Sequence, residues 1–344
     1  MRRFATIAII VLVISLIAVA VGTLKLQQFL RTPVVVAEAG TEFEIFSGTS
    51  FAHVSKNLAE RGIVSSADLL RGYARWTGQA NSIHAGEYLI KPGTTAKELL
   101  DQFASGNVQL YPITIVEGWN HRDLLQALHD HEKVEALMTE EDWPAFLQKL
   151  GATVTHPEGL FLPETYHFPR ATSDRELLEL AYRLMQQTLA EEWAQRAEGL
   201  PVKTPYEALI LASIIEKETA RADERARIAG VLSRRLQQRK RLQTDPTVIY
   251  GLGPAFDGNL TRKDLQTDTP YNTYTRRGLP PTPIALVGRA AIHAALHPAD
   301  GKELYFVATG LGDGGHKFSE TMQEHEAAVA EYLQRLREAR GRGN

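Results

Sequence analysis

Two glutamates close an apolar run in Ile214-Ile215-Glu216-Lys217-Glu218-Thr219. A carboxyl group with one apolar side has its charged form disfavoured, so it holds its proton nearer to neutral pH and can serve as a general acid. At about 100° per residue, Ala208, Leu211, Ala212 and Ile215 share one helical face, with Glu218 on one flank and Glu216 on the other. Helical geometry alone does not choose between them. The alternative is that both are helix-end groups paired to Arg221 or Arg225. Downstream, Gln243, Thr244, Asp245 and Thr247 fall in one short segment, and Tyr271-Asn272-Thr273-Tyr274 precedes Gly278-Leu279-Pro280-Pro281. Amides, hydroxyls and a carboxylate suit sugar hydroxyls, and tyrosine faces can stack on sugar rings. Buried tyrosine pairs and stiff proline turns use the same residue types, so both readings stand.

The elements that must position these groups are legible around them. Thr204-Pro205 opens the helix that carries the glutamates, with Thr204 as cap and Pro205 in the first position. Asp245-Pro246 starts a turn or a helix with Asp245 as cap. Arginines 221, 225, 227, 234, 235, 239 and 241 make the stretch between them basic, while Ile228, Val231, Leu232 and Leu236 form its apolar stripe. That pattern is mainly a solvated helix face, with a minority of arginines free to meet an acidic partner. Residues 157–166 are aromatic, acidic and bounded by proline, which precludes one regular helix. Further helices are expected over 122–129, 174–193 and 323–340, with a strand over 110–116. Residues 310–317 lack the Gly-Lys-Ser/Thr of a phosphate loop and read as a hairpin turn after a strand at 304–308, with His316 at its end as a glycan contact or a turn cap.

Nearer the N-terminus, strands are expected at 34–36, 42–46 and 85–92. Helices over 51–61, 67–76 and 96–104 follow capping residues Ser50, Ser66 and Thr95. This βααβ pattern resembles small glycan-binding LysM modules, and a compact spacer domain fits it equally. Ahead of it, residues 4–24 are nearly all apolar, with Arg2 and Arg3 before them. About 20 such residues cross a hydrocarbon core, and the run outlasts the shorter apolar region of a cleaved signal peptide. The reading is a single-pass anchor with its N-terminal tip cytoplasmic and the rest of the chain outside.

The 344 residues suffice for more than one core, and a net charge of -3 gives no general polyanion-binding signal, so nucleic acid is not an expected partner. Without cysteine there are no disulfides and no thiolate metal sites. His129 and His131 lack the His-Glu-x-x-His spacing of a zinc helix, and no serine sits in a nucleophile elbow, so no cofactor or metal is expected.

Ala212-Ser213-Ile214-Ile215-Glu216-Lys217-Glu218-Thr219, then residues 242–251, then Tyr271-Asn272-Thr273-Tyr274 with Gly278-Leu279-Pro280-Pro281, resemble in order and spacing the YceG-like endolytic murein transglycosylases of bacteria. The resemblance extends to Val116-Glu117-Gly118, residues 158–166, His297-Pro298, residues 304–308 and Gly314-Gly315-His316-Lys317-Phe318. It implies an α+β protein in four parts: a cytoplasmic tip and transmembrane anchor at 1–31, a LysM-like subdomain at 32–110, a connecting region at 111–175, and a mixed, mainly helical catalytic domain at 176–344. It implies a single-pass enzyme of the bacterial inner membrane with a periplasmic catalytic domain, a lyase that cuts nascent peptidoglycan strands internally and leaves 1,6-anhydro-muramoyl ends. By the resemblance Glu218 takes the place of the family's catalytic glutamate, with Glu158 and Asp245 as candidate auxiliary carboxylates. The expected substrate-binding set is Glu158, Glu216, Gln243, Thr244, Asp245, Thr247, Tyr271, Asn272, Tyr274 and His316. Penicillin-binding proteins or other cell-wall synthases are the partners the resemblance suggests. A non-catalytic glycan-binding scaffold, and a hydrolase that uses water, are the competing functions.

Overall fold

The computed structural model describes residues 2–342. The chain forms two compact units, Met1–Tyr111 with His167–Ala171, and Pro112–Tyr166 with Thr172–Asn344. Its elements make a helix-rich α+β protein whose strands pair only two by two among the described residues.

The first unit begins with the helix Arg2–Arg31, which is apolar from Ile9 to Leu24 and solvent-exposed there. An exposed apolar surface of this kind matches a lipid environment better than water. Its last turns are different: Phe29 is buried, with Leu26 and Leu30 packed beside it, in the core of this first unit. That core lies under an antiparallel pair, Thr41–Ile45 with Gly86–Ile90, in which Phe43 faces Tyr88. The Phe103 ring stacks on Phe43 at 5.8 Å and meets the Tyr88 edge at 4.7 Å between centroids. The helices Phe51–Glu60, Ala67–Trp76 and Ala96–Ser105 close over this sheet, each opened by the expected cap: Ser50, Ser66 and Thr95 accept the backbone N–H of His53, Leu69 and Glu98. Each cap contributes about 1 kcal/mol. The expected strand at 34–36 is not formed. Val34 N–H donates to the Thr94 carbonyl and Val35 N–H to that of Ile63, so these residues bond to loops and helix ends instead of a neighbouring strand. The buried Glu87 carboxylate takes Arg170 at 3.2 Å and the Tyr111 hydroxyl, which ties the returning segment 167–171 to this unit.

The second unit is built around the helix Pro205–Glu218. Every residue from Ala208 to Ile215 is buried, so the apolar stripe read from periodicity is one side of a helix that is covered all round. The helices Asp174–Ala194, Arg225–Gln237, Asp245–Leu252 and Arg289–Leu296 pack against it. Ser213, in its middle, accepts the Ile284 N–H at 2.9 Å, which pins the extended segment before the Arg289–Leu296 helix. That segment continues by exchanging backbone hydrogen bonds with the turn after residue 116: Gly118 N–H to Leu286 O, and Leu286 N–H to Trp119 O. The expected hairpin is present as Tyr305–Ala308 antiparallel to His316–Ser319, and the helix Met322–Arg342 lies against both strands.

Candidate active site

Glu216 and Glu218 end the same helix in different environments. Glu216 has an occupied carboxylate: Arg225 Nη2 donates to Oε1 at 3.5 Å and Gly288 N–H to Oε2 at 3.3 Å. Burial and the nearby Glu117 charge raise its pKa. The helix-end pairing left open by the sequence thus holds for Glu216 and not for Glu218. No hydrogen bond or ion pair reaches Glu218 among the described residues. Burial, and secondarily the charge of Asp245, push its carboxyl up to about 8. A carboxyl raised this far favours its protonated form at neutral pH, the form a general acid needs.

Glu218 opens into a cavity of about 360 Å³ lined also by Arg235, Gln243, Asp245, Tyr274, Tyr305, Phe306 and His325. Asp245 is not the helix cap that its place before Pro246 suggested. Thr244 occupies the cap position, and Asp245 is the first helical residue, so its carboxylate is free of the backbone and instead receives the Tyr274 hydroxyl at 2.5 Å. Burial, and then the hydrogen bond to Asp245, raise the Tyr274 pKa, keeping it a donor. Gln243 stands just before, with φ of +56°, a left-handed conformation that costs a non-glycine residue about 1–2 kcal/mol. It is held there by its N–H to the Thr273 carbonyl and by Arg235 Nη1, which donates to its side-chain oxygen at 3.3 Å.

Arg235 is the residue whose importance sequence reasoning missed. Grouped with a solvated basic face, it is in fact buried, and its guanidinium donates to the carbonyls of Leu304, Leu242 and Arg241 at 2.6, 2.7 and 3.1 Å. It also lies over the Tyr305 ring at 5.0 Å. A signal existed: Ile228, Val231, Leu232 and Arg235 follow the i, i+3, i+4, i+7 pattern, which places the arginine on the apolar stripe. Other arginines of that run are also engaged internally. Arg234 and Arg227 pair with Glu303 at 3.2 and 3.4 Å, and Arg221 with Asp223 at 2.7 Å, so little of this helix is left to meet an acidic polymer.

The remaining candidates divide. Thr244 and Thr247 are buried with Thr273 in a hydroxyl network, Thr247 Oγ1 lying 2.8 Å from both the Thr244 carbonyl and Thr273 Oγ1. Asn272 is buried too, donating to the carbonyls of Asp264, Leu265 and Thr267 and accepting the Tyr274 N–H at 2.8 Å. These side chains hold the loop that presents Tyr274 and have no free polar group for a sugar. Tyr271 places its hydroxyl 2.8 Å from Thr282 and its ring against Tyr250. His316 bonds Glu224 through both its N–H and Nδ1, at 3.0 and 2.7 Å, as a hairpin clamp. Glu158 is fully buried and does not line the cavity. Its Oε2 accepts the Tyr250 hydroxyl at 2.9 Å, the His121 N–H at 3.3 Å and His121 Nδ1 at 2.7 Å. Of the expected set, the structure therefore brings Gln243, Asp245 and Tyr274 together with Glu218, and places the others in the scaffold around it.

The chain is similar to known proteins over most of its length. The model of the YceG-like family matches residues 43–331. The endolytic murein transglycosylase of Bacillus subtilis is 30% identical over 83% of each chain. That of Streptococcus pneumoniae is 24% identical over 83% of this chain and 57% of its own length. A crystal structure of a yceG-like protein from Listeria monocytogenes superposes with a TM-score of 0.51 at 27% identity, covering 85% of this chain and 99% of that one.

Proposed function

The chain belongs to the YceG-like family, and on that premise we propose that it is an endolytic peptidoglycan lytic transglycosylase that cleaves the MurNAc-(1,4)-GlcNAc bond within a glycan strand. The observation that carries this reading is Glu218: a carboxyl raised to about 8, unpaired among the described residues, facing a cavity whose other walls offer an amide, a carboxylate and a phenol. Its proton passes to the glycosidic oxygen as the bond to the muramic anomeric carbon breaks, releasing the N-acetylglucosamine 4-hydroxyl. The resulting Glu218 carboxylate takes the proton of the muramic 6-hydroxyl, whose oxygen closes on the anomeric carbon to form the 1,6-anhydro ring. The proton balance is zero and no water is consumed, so the second carboxylate of a hydrolytic pair is not required. In this scheme Gln243, Asp245 and Tyr274 bind and orient the sugar beside Glu218.

The same reading gives the other parts their roles. Ile9–Arg31 is a single-pass anchor in the bacterial inner membrane, with Arg2 and Arg3 on the cytoplasmic side and the remainder periplasmic. Residues 32–110 are a LysM-like glycan-holding subdomain, 111–175 a connecting region and 176–344 the catalytic domain. Cutting nascent strands beside the membrane would end glycan elongation and place the enzyme next to cell-wall synthases.

The test is to incubate the full chain in detergent, wild type and Glu218→Gln, with uncrosslinked glycan strands and to read the new ends by mass spectrometry. Anhydro ends from the wild type alone are the expected result. Ends heavier by one water would make the protein a hydrolase, and intact strands with retained binding in both samples would make it a scaffold.

A further inference from the structure

Three potential metal ligands meet on the second unit among residues that line no part of the Glu218 cavity. Glu192 lies near the end of the helix Asp174–Ala194, and His293 and His297 lie one turn apart on the helix Arg289–Leu296 and its C-cap. One ligand atom from each falls within 4.8 Å of the other two. His293 Nδ1 stands 2.9 Å from Glu192 Oε2, and the two imidazoles are stacked with centroids 4.3 Å apart.

An ion-pair network accounts for part of this group. Arg289 Nη1 donates to Glu192 Oε1 at 2.9 Å, and His293 shares the other oxygen, so the mostly buried carboxylate is satisfied without a metal. It does not account for His297. The Nε2 of that ring is buried with no hydrogen-bond partner, and leaving a buried polar nitrogen unmade costs about 1–3 kcal/mol. Nor does ion pairing explain why a second imidazole is stacked on the one already bound to the acid.

We propose that Glu192, His293 and His297 form a site for a divalent transition metal of the zinc type. Two imidazoles and one carboxylate are donors that zinc accepts at about 2.0–2.2 Å, and such bond lengths bring ligand atoms about 3–3.5 Å apart. The 2.9 Å separation of His293 Nδ1 and Glu192 Oε2 is close to that edge, and the His297 ligand atom, within 4.8 Å of both, would have to move nearer as a metal binds. Magnesium and calcium, which favour all-oxygen shells, fit these donors poorly. Arg289 takes the role of a group outside the ligands that orients the carboxylate through its free oxygen. His293 is exposed, which leaves a coordination position for water. The site would join the Asp174–Ala194 and Arg289–Leu296 helices, which both pack on the helix that carries Glu218, so its effect is on stability.

The test titrates the tag-free full chain in detergent with zinc chloride against a chromogenic zinc chelator, alongside thermal unfolding with and without zinc. Wild type is expected to take one zinc per chain and to unfold at a higher temperature with it. His297→Ala and, at the exposed position, His293→Gln should each weaken binding by at least about tenfold and lose the thermal shift. Equal zinc affinity in wild type and His293→Gln, or no thermal shift in the wild type, would overturn the site and leave an ion-pair network. Should His297→Ala fail to fold, the His293→Gln comparison decides the matter.

Discussion

The Tyr274 hydroxyl donates to Asp245 Oδ1 at 2.5 Å on the wall of the cavity that Glu218 enters. The pair keeps a carboxylate beside the candidate acid, and that charge is the second cause, after burial, of the raised Glu218 pKa. A general acid works in its protonated form, so activity falls as pH rises through the Glu218 pKa, near 8. Asp245→Asn removes the lesser cause and leaves burial. The basic limb of the kcat/KM profile for anhydro-end formation is expected to move to lower pH while staying above the ordinary glutamate value of 4.5. A limb that stays in place, or moves upward, would mean that Asp245 does not act on Glu218 electrostatically.

Glu218 also makes the fold pH-sensitive in a predictable direction. Between 4.5 and about 8 the native chain holds a proton that the unfolded chain has released, so the stability contributed by this position falls as pH rises, by at most about 1.4 kcal/mol per pH unit. Glu218→Gln carries no such proton. Thermal unfolding from pH 5 to pH 8 should show the variant gaining on the wild type as pH rises, with lytic activity lost throughout. Parallel curves would show that Glu218 is not held neutral by its surroundings.

Local signals carried much of this architecture and long-range ones did not. Ser50, Ser66, Thr95 and Thr204 open their helices as read, because a cap acts within three residues. Glu216 and Glu218 could not be told apart, because what separates them is Arg225 and the Gly288 N–H, the latter 72 residues away. Val34 failed as a strand for a related reason, since its β-branched neighbours report a preference while its hydrogen bond goes to Thr94. The polar run at 243–247 was seen as one binding surface, yet the chain buries Thr244 and Thr247 and leaves Gln243 and Asp245 in the cavity. That division is set by the Thr273 hydroxyl, 26 residues beyond Thr247.

Gln243 offers a separation of activity from stability. Its φ of +56° is favourable for glycine, so Gln243→Gly relieves backbone strain of about 1 kcal/mol while removing the amide from the cavity. The loss of its contact with Arg235 offsets part of that gain. The variant is expected to unfold within a few degrees of the wild type and to lose turnover by about tenfold or more, the cost of one well-placed hydrogen bond to a sugar. Full activity in Gln243→Gly would remove the side chain from the proposed sugar contacts.

Glu158 should behave in the opposite way. Its carboxylate is buried, and one oxygen gathers Tyr250, the His121 N–H and the His121 ring, while Oε1 has no partner among the described residues. Burial is also the main cause that lowers the pKa of His156, whose ring meets the His121 edge at 5.2 Å, so the surroundings disfavour charge on that imidazole. Glu158→Ala leaves donors from two other segments unpaired in the interior, a change that costs about 3–5 kcal/mol. For a unit of this size that is a fall of roughly 10 °C in Tm. Because Glu158 lines no part of the Glu218 cavity, the folded fraction at low temperature should still yield anhydro ends with the wild-type pH profile. A variant as stable as the wild type but inactive would instead make Glu158 a second participant in proton transfer, and would require the buried network to open when the glycan binds.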